Sequence, residues 1–495
     1  MTKTSCKQRF LARRCAENRL AWAPTVLKAC GSLALLLGLT GCTTFSPDAG
    51  MGLVADVAGQ ELHKDVLAVR TEDDASRAHA KVERLLARPL SVDAAIQVAL
   101  LNNRDLQASY NDLARAEAAM VGQSLPPNPT FSISDVAGPV SFEFEAQATA
   151  DILALASLPI RSDIAAQRFR QAQLRAVEET LRLAVEVRRA YYETIAFREL
   201  GALLTESKAT AEAAAKVATD LGKTGALNKL DQAREQVFYA EVTAELATAR
   251  QQEASSREHL VRLLGLWVAA VNFKLPERLP VLPSKPRSLR QIETQAIEHR
   301  VDLKIGRIEL EALARAYGLT QATRFINLLE VGPAAKAFQE PGIPVLREGG
   351  FTTQFQVPLF DFGEVRAREA EQTYMQAVNR LAARAVNIRS EARDAYRTYR
   401  SDYDIARHYQ SEVLPLRKII TEEMQLRFST MQVDVFALVT EAREKLASQR
   451  AAIEAKRNFW LAETALNAAL LGGGSASDAD TAGRTSDQER NVAER

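Results

Sequence analysis

The chain has 495 residues, of which 47% are hydrophobic and 25% charged, and its formal net charge is +1. This composition is typical of a folded protein and excludes a disordered chain. Residues 1–41 carry seven basic side chains and one acidic side chain, a balance of +6, which leaves −5 for the rest of the chain. A mildly acidic body does not fit nucleic-acid binding, which needs a basic surface.

The N-terminus has the features of a bacterial lipoprotein signal peptide. A basic segment ending at Lys28 precedes the apolar run ACGSLALLLGL, which is too short to span a membrane as a helix. The run closes on Leu-Thr-Gly-Cys at 39–42, a lipobox pattern, so we predict a signal peptide over residues 1–41 and lipidation at Cys42. Thr43 then favours sorting to the outer membrane. A buried N-terminal helix with incidental cysteines is the alternative interpretation.

The remaining chain repeats itself. The stretch ALLNNRDLQASYNDLARAEA at 99–118 resembles AIEHRVDLKIGRIELEALAR at 296–315, and a Leu-Gly ending recurs at 264–265 and 471–472. Landmarks that recur in the same order indicate a duplicated unit. We predict four segments after the signal peptide: a lipid-anchored linker at 42–87, a first repeat at 88–285, a second repeat at 286–472 and a disordered tail at 473–495.

Each repeat begins with a predicted helix (about 91–121 and about 289–322) and continues with a strand region. VSFEFEAQATAD at 140–151 alternates apolar with polar or acidic residues, which places the two kinds on opposite faces of a strand. Its length suits a tilted membrane crossing, although a soluble sheet has the same alternation. PTFSISDV is its predicted hairpin partner. In the second repeat FTTQFQV alternates equally well, with a partner near FINLLEV.

Long helices complete each repeat. From Glu364 to Leu414 there is neither Gly nor Pro, and about 50 helical residues would extend roughly 75 Å. Strict heptad spacing over 374–399 predicts coiled-coil packing along such a helix. The residues of this seam are Tyr374, Val378, Leu381, Ala385, Ile388, Ala392, Ala395 and Tyr399. We expect the two helical hairpins to reverse at 220–231 and 428–434.

Motifs for catalysis are missing from the sequence. It contains no phosphate-binding or dinucleotide-binding glycine motif, no G-x-S-x-G and no H-E-x-x-H. The five histidines are scattered, and cleavage of the signal peptide would leave Cys42 as the single cysteine, so neither a metal site nor a disulfide within one chain is expected. Most carboxylates stand beside Arg or Lys on helices, which is typical of solvated helix faces. We therefore predict no enzyme activity and no cofactor.

Several of these stretches together resemble the TolC-type outer-membrane efflux family, in its lipoprotein branch. The resemblance covers about residues 88–472 and is carried by NNRDLQA, VPLFDFG, the pair Tyr191-Tyr192, GALNKLD and the LLG hairpin ends. It implies a mainly α fold with a small membrane β-barrel: a homotrimer in which four strands per chain close a twelve-stranded barrel above a periplasmic helical tube. It also implies the exit duct of a tripartite exporter, with a periplasmic adaptor and an inner-membrane pump as partners.

The resemblance also implies the positions of functional residues. The hairpin tips would form the periplasmic aperture and contact the adaptor, and Asp231 matches an acidic gate residue whose basic partner would fall near the uncharged Gln432. A plain helix N-terminal role for Asp231 is the alternative. The predicted sets are Gly225, Asp231, Gln432, Asp434 and Glu441 at the gate; Thr224, Ala226, Leu227, Met431 and Val433 at the adaptor contact; Glu143, Glu145 and Asp151 in the barrel lumen; and Pro159, Pro358 and Gly363 at the strand–helix junctions.

Two functions remain open at this point. The first is an efflux channel of the outer membrane that extends into the periplasm. The second is a lipid-anchored periplasmic scaffold or adaptor that does not span the membrane, which would require the alternating strands to be soluble. The sequence does not identify the exported substrate.

Overall fold

The structure is a computed structural model that describes residues 45–138, 141–267, 271–288, 291–340 and 342–473. The predicted signal peptide, Cys42 and nearly all of the predicted tail lie outside these ranges. The predicted linker contains helix α1 (Gly52–Val57), a π-helical turn (Ala58–Leu62) and helix α2 (Glu72–Leu86). Val54 and Val82 of these helices are buried in the main core, so this part of the linker is folded against the body.

The predicted duplication is confirmed by the order of the elements. The first repeat comprises α3 (Val92–Asn102), α4 (Arg104–Ser124), β1 (Thr130–Ala137), β2 (Phe142–Asp151), α5 (Ile152–Lys223) and α6 (Lys229–Leu264). The second repeat comprises α7 (Ile292–His299), α8 (Val301–Ala322), β3 (Leu328–Gln339), β4 (Leu346–Gln356), α9 (Glu364–His408), a π-helical turn (Tyr409–Val413), α10 (Leu414–Ser429) and α11 (Val435–Leu471). Each repeat is thus two short helices, a strand pair and a long helical hairpin.

The first helix of each repeat is broken, where the sequence predicted one continuous helix. The breaks lie at Asn103 and Arg300, which both have extended backbone (ψ 123° and 127°). The Asn103 side chain accepts the N–H of Leu106 at 2.9 Å and donates to the carbonyl of Leu263 at 2.9 Å. Arg300 instead forms ion pairs with Asp302 and Glu391 at 2.7 and 2.5 Å. At Asn103 a side-chain hydrogen bond therefore replaces a helix hydrogen bond, whereas the Arg300 side chain makes no capping bond to the backbone.

The two repeat motifs, NNRDLQA and LLG, meet in space. Asn102 donates to the carbonyls of Leu264 and Gly265 at 3.0 and 2.6 Å, which satisfies the open end of α6. Gly265 has φ +65°, and a Cβ there would lie 2.6 Å from the Asn102 carbonyl oxygen, so glycine is required. In the second repeat, Gly472 similarly lies beside the backbone of Val301. Each hairpin therefore ends against the break at the start of its own repeat.

The four strands form one antiparallel sheet in the order β1-β2-β3-β4. The second repeat joins the first through β2 and β3, where Glu145 lies opposite Lys336. The predicted strands are confirmed, including β3, whose sequence signal was weak. Pro333 and Gly332 interrupt the alternation there, and a Cβ at Gly332 would lie 1.7 Å from the carbonyl oxygen of Ala148. The backbones of β2 and β3 therefore approach so closely that β3 needs a glycine at this position. Side-chain periodicity in the sequence does not reveal such a requirement.

The helical hairpins reverse within the predicted stretches, between Lys223 and Lys229 and between Ser429 and Val435. Helix α5 has 72 residues, roughly 110 Å at the usual rise. The helix expected to end at Leu414 passes through Pro415 to Ser429, because the π-helical turn just before it already displaces the regular hydrogen bonds that proline would break. None of the helices in the described ranges has both the length and the hydrophobicity of a membrane-spanning helix.

The predicted heptad seam is confirmed as a packing surface. All eight seam residues of α9 are at least partly buried, and Ile388, Ala392 and Tyr399 are buried against Phe459 and Leu466 of α11. The pair Tyr191-Tyr192 links the two repeats. The Tyr191 hydroxyl donates to the Leu90 carbonyl at 2.9 Å, and Tyr192 stacks on Trp460 of α11 with ring centroids 5.2 Å apart.

The two strand–helix junctions differ. Between β4 and α9, Pro358 and Gly363 lie in a short turn. Gly363 has φ +72°, and a Cβ there would lie 2.2 Å from the Arg324 carbonyl oxygen. The prediction that Pro159 marks the other junction is wrong, because Pro159 lies inside α5. There the carboxylate of Asp151, the last residue of β2, accepts the N–H of Ala154 at 2.9 Å. This cap starts the helix directly after the strand, so no turn is needed.

The break at Asn103 yields a test of the repeat design. Asn103→Ala removes a helix cap and leaves the Leu263 carbonyl without its donor, so we expect the free energy of unfolding to fall by about 2 kcal/mol. Denaturant unfolding followed by tryptophan fluorescence measures this change. Asn111→Ala, at an exposed position of the same helix, is the control and should change stability little. Equal effects of the two substitutions would contradict the role given to Asn103.

Candidate functional site

One face of the sheet is apolar. Pairing across the strands places Phe131, Ile133, Phe142, Phe144, Leu329, Val331, Phe351 and Phe355 on it, with alanines between them. Phe351 is 84% and Ile133 72% exposed. The two charged residues of this face, Asp135 and Arg347, lie in one row near the loop end of the sheet. Large exposed apolar patches mark contact with lipid or with another chain.

The other face is mainly polar and acidic, with apolar residues at its two ends: Val136, Phe338 and Leu346 at the loop end and Leu328 at the opposite end. It carries Glu143, Glu145, Asp151, Glu330 and Glu348 against the single cation Lys336. Glu143 forms an ion pair with Lys336, and Glu330 accepts the hydroxyl of Thr149 at 3.0 Å. Of the three residues predicted to line a lumen, Glu143 and Glu145 lie exposed on this face, whereas the carboxylate of Asp151 caps α5. The face retains a net negative charge after its ion pair is counted.

The first hairpin tip joins α5 to α6. The chain turns through Thr224, Gly225, Ala226 and Leu227, with the Ala226 N–H bound to the Leu221 carbonyl at 2.9 Å and Gly225 at φ +76°. The four residues are exposed or half-buried. Just before the turn, the hydrogen bond from Lys223 lowers the pKa of Asp220.

The second tip repeats this geometry without the glycine. The Gln432 N–H binds the Arg427 carbonyl at 2.9 Å, as Ala226 binds Leu221 in the first tip. Met431 takes the place of Gly225 at φ +60° with a side chain that is 93% exposed. Asp434 takes the place of Asn228, and its carboxylate accepts the N–H of Ala437 at 2.8 Å. Asp434 therefore caps α11.

The acidic residues predicted at the gate have partners within this chain. The Asp231 carboxylate accepts a hydrogen bond from the Asn228 amide at 2.7 Å and forms an ion pair with Arg234 at 3.0 Å. Glu441 is buried and bound to Arg417 at 3.2 Å. Gln432 is exposed on the opposite tip. Both carboxylates are thus neutralised locally.

Three arginines of α11 join the two hairpins. The sequence analysis did not predict their role. Arg443 of α11 lies 3.4 Å from the Glu235 carboxylate and stacks over Phe238, both on α6. One heptad further, Arg450 pairs with Glu245 at 3.1 Å. The next, Arg457, lies over the ring of Phe197. The seven-residue spacing of these arginines was a visible signal in the sequence.

The fold is that of TolC-type outer-membrane channels, which confirms the predicted resemblance at the level of the fold. CusC, whose structures concern transmembrane channel formation, is similar over 77% of this chain and 91% of its own length, with a TM-score of 0.63 and 18% identity. VceC of Vibrio cholerae is similar over 78% and 97%, with a TM-score of 0.62 and 15% identity.

The CmeC outer membrane channel of Campylobacter jejuni covers 86% of this chain and 93% of its own, with a TM-score of 0.62 and 13% identity. No protein-family profile and no curated protein sequence matches the chain. The likeness is therefore one of architecture, carried by the sheet and the long hairpins.

The two tips provide a matched test of backbone conformation. A side chain in the left-handed region costs about 1 kcal/mol, so Met431→Gly should stabilise the second hairpin by up to that amount. Gly225→Ala should destabilise the first hairpin by a similar amount. The cost comes from the left-handed backbone alone, since no atom lies within 4 Å of the added methyl group. Amide hydrogen exchange at the tips reports both changes. Faster exchange at the second tip in Met431→Gly would contradict this reading.

Proposed function

We propose that this protein is an outer-membrane channel, the exit duct of a tripartite efflux system that moves small solutes from the periplasm to the exterior. The observation that carries the proposal is a sheet with one apolar and one acidic face, continuous with long helices, of which α5 has 72 residues and extends roughly 110 Å. An apolar face suits lipid and an acidic face suits a water-filled lumen. Energy would come from an inner-membrane pump, so the chain itself needs neither a catalytic site nor a cofactor.

A homotrimer follows from the edges of the sheet. β1 and β4 are the outer strands, and among the described residues each has one side without a strand partner. In lipid such edges must be paired, and four strands are too few to close a barrel alone. Pairing β4 of one copy with β1 of the next in three copies would give a closed twelve-stranded barrel. The resemblance of the sequence to trimeric channels supports this number.

Exposed apolar residues along the second hairpin support the same assembly. Val386, Ile405, Leu416, Ile419, Ile420 and Leu426 are all at least 43% exposed in the single chain. Neighbouring copies packed side by side in a tube would cover part of this stripe. The exposed tip residues, above all Met431, remain available for a periplasmic adaptor.

The N-terminus would anchor the channel in addition to the barrel. Lipidation of Cys42 and cleavage of residues 1–41 are proposed from the lipobox. The alternative of a scaffold that never enters the membrane would leave the exposed phenylalanines of the sheet in water, at an unfavourable transfer free energy of about 25 cal/mol for each Å².

Channel activity is tested with purified full-length protein in planar bilayers. The protein should form discrete conducting channels, and a potassium chloride gradient should give a reversal potential of the sign expected for cation preference, because the polar face is acidic. The absence of discrete conductance steps would contradict the channel proposal, and anion preference would contradict a lumen formed by the acidic face.

The gate is tested in the same bilayers. Asp231 joins Arg234 and Asn228 beside the aperture, and we propose that this arrangement helps to keep the tips closed. Asp231→Ala should then raise single-channel conductance. Asp220→Ala is the matched control, since Asp220 is an exposed carboxylate paired with Lys223 at 2.9 Å on the other side of the same tip. Unchanged conductance in Asp231→Ala would remove Asp231 from the gate.

A further inference from the structure

The turn between β4 and α9 exposes large apolar side chains. Leu359 and Phe362 are 66% and 55% exposed, and Phe360 is fully exposed. Val365, in the first turn of α9, is 65% exposed. We call these four residues the junction patch. Apolar side chains clustered in this way differ from the single exposed apolar residues of an ordinary surface, so the patch indicates contact with another molecule.

The turn that carries the junction patch is held rigidly. The Phe362 N–H donates to the Pro358 carbonyl at 2.8 Å, and the Glu364 N–H donates to the Asp361 carbonyl at 2.9 Å. Arg324, just after α8, donates from Nε to the Phe362 carbonyl at 3.3 Å. Phe362 has φ +48°, a conformation that bulky side chains rarely adopt and that is typical of functional positions. The patch is therefore preorganised, which lowers the entropic cost of binding.

The patch lies at an open edge of the chain. The helices that lead into and out of the strands pack in one row, α4 on α5, α5 on α8 and α8 on α9. This order repeats that of the strands, so β4 with α9 and β1 with α4 form the two ends of both layers. Polar contacts join the neighbouring helices near the sheet: Ser162 to Ser124 at 2.9 Å, Arg315 to Asp163 at 3.0 Å and Arg324 to Glu364 at 3.0 Å. The α9 end of the row presents the apolar patch instead.

The corresponding corner of the first repeat has no such turn. There α5 begins directly after Asp151, and the corner lies beside β3 and α8 of the same chain. The two repeats thus differ where one corner faces its own chain and the other faces outward. Lipid would surround both corners of a closed barrel alike, so lipid alone does not explain a patch at the second corner only. A neighbouring copy paired through β4 would meet the second corner and not the first.

We propose that the junction patch docks on the next copy of this chain, at the corner where α4 passes into β1, with Phe360 against Gly122 and Leu125. The inference rests on the homotrimer proposed above, in which β4 of one copy pairs with β1 of the next. Phe360 follows the end of β4 at Gln356 by four residues, and Leu125 precedes the start of β1 at Thr130 by five. Antiparallel pairing of the two strands would bring these residues to nearly the same height beside the sheet.

The surface of α4 at this corner has room for an aromatic ring. A Cβ at Gly122 would meet no atom of the described chain within 4 Å, and Leu125 is 39% exposed. Docking there would also hold β4 in one register against β1 of the next copy. A slip of one residue exchanges the two faces of a strand, so the docked patch would keep the apolar face of the sheet on one side around the whole barrel.

Photo-cross-linking of the full chain tests the docking. With p-benzoylphenylalanine in place of Phe360, irradiation of membranes from cells that express the protein should give a two-chain product whose peptides join residue 360 to residues 118–127 of another copy. The control places the same photoreactive residue at Phe144, on the apolar face of the inner strand β2, and should react with lipid without a two-chain product. Lipid adducts at residue 360 without a two-chain product, or a product joined elsewhere, would overturn the proposal.

Light scattering separates failure of the docking from failure of the proposed function. It gives the molar mass of the unmodified protein in detergent. A trimer that yields no two-chain product from residue 360 would retain the homotrimer and overturn only the docking. A monomer would overturn both.

A glycine substitution tests the same contact without changing the patch. Gly122→Leu should favour α4 in the single chain, because leucine has the higher helix propensity and the space beside it is open, yet it should fill the gap where Phe360 docks. We expect subunit exchange between fluorescently labelled trimers to become at least about tenfold faster, as when an aromatic anchor of an interface is lost. Gly318→Leu, at an equally open position of α8, is the matched control and should leave exchange unchanged. Equal exchange rates in the two variants would overturn the docking.

Discussion

Backbone N–H and C=O groups at a sheet edge must be paired wherever water is absent, and the rest of the structure depends on this constraint. The described part of one chain supplies four strands, a polar face and an apolar face, and within it β1 and β4 each have one side without a strand partner. The long hairpins also leave surface uncovered in the single chain, because apolar residues remain exposed along α9 and α10. Both features are explained at once if copies close into a barrel and a tube.

The hairpins are joined by apolar packing along most of their length. About halfway along α5, Tyr192 stacks on Trp460, and a large buried cluster surrounds α3 and α5. Toward the tips, a second buried apolar cluster joins α6 and α11, and Arg443 and Arg450 of α11 form ion pairs with glutamates of α6 beside it. Apolar packing is costly to separate, so the two hairpins are held together as far as the second cluster.

Periodicity in the sequence was enough to predict the duplicated plan, the strands in FEFEAQATAD and FTTQFQ, and the heptad seam of α9. Each of these depends on a side-chain pattern repeated over many residues. Features that depend on one local backbone contact were not predicted. The helix breaks at Asn103 and Arg300, the start of α5 at Asp151 instead of near Pro159, and the continuation through Pro415 are all of this kind. The hydrogen bond from the Ser46 N–H to the Glu117 carboxylate was not predicted either, because it joins residues 71 positions apart.

The two-sided sheet is the central claim, and spin-label accessibility tests it most directly. Phe351 and Thr352 are neighbours in β4 at nearly the same depth and point to opposite faces. With nitroxides attached through Phe351→Cys and Thr352→Cys in lipid-reconstituted protein, the label at 351 should be relaxed mainly by oxygen, which concentrates in lipid. The label at 352 should be relaxed mainly by a water-soluble nickel chelate. Equal relaxation of both labels by the nickel chelate would contradict a sheet that faces lipid on one side and water on the other.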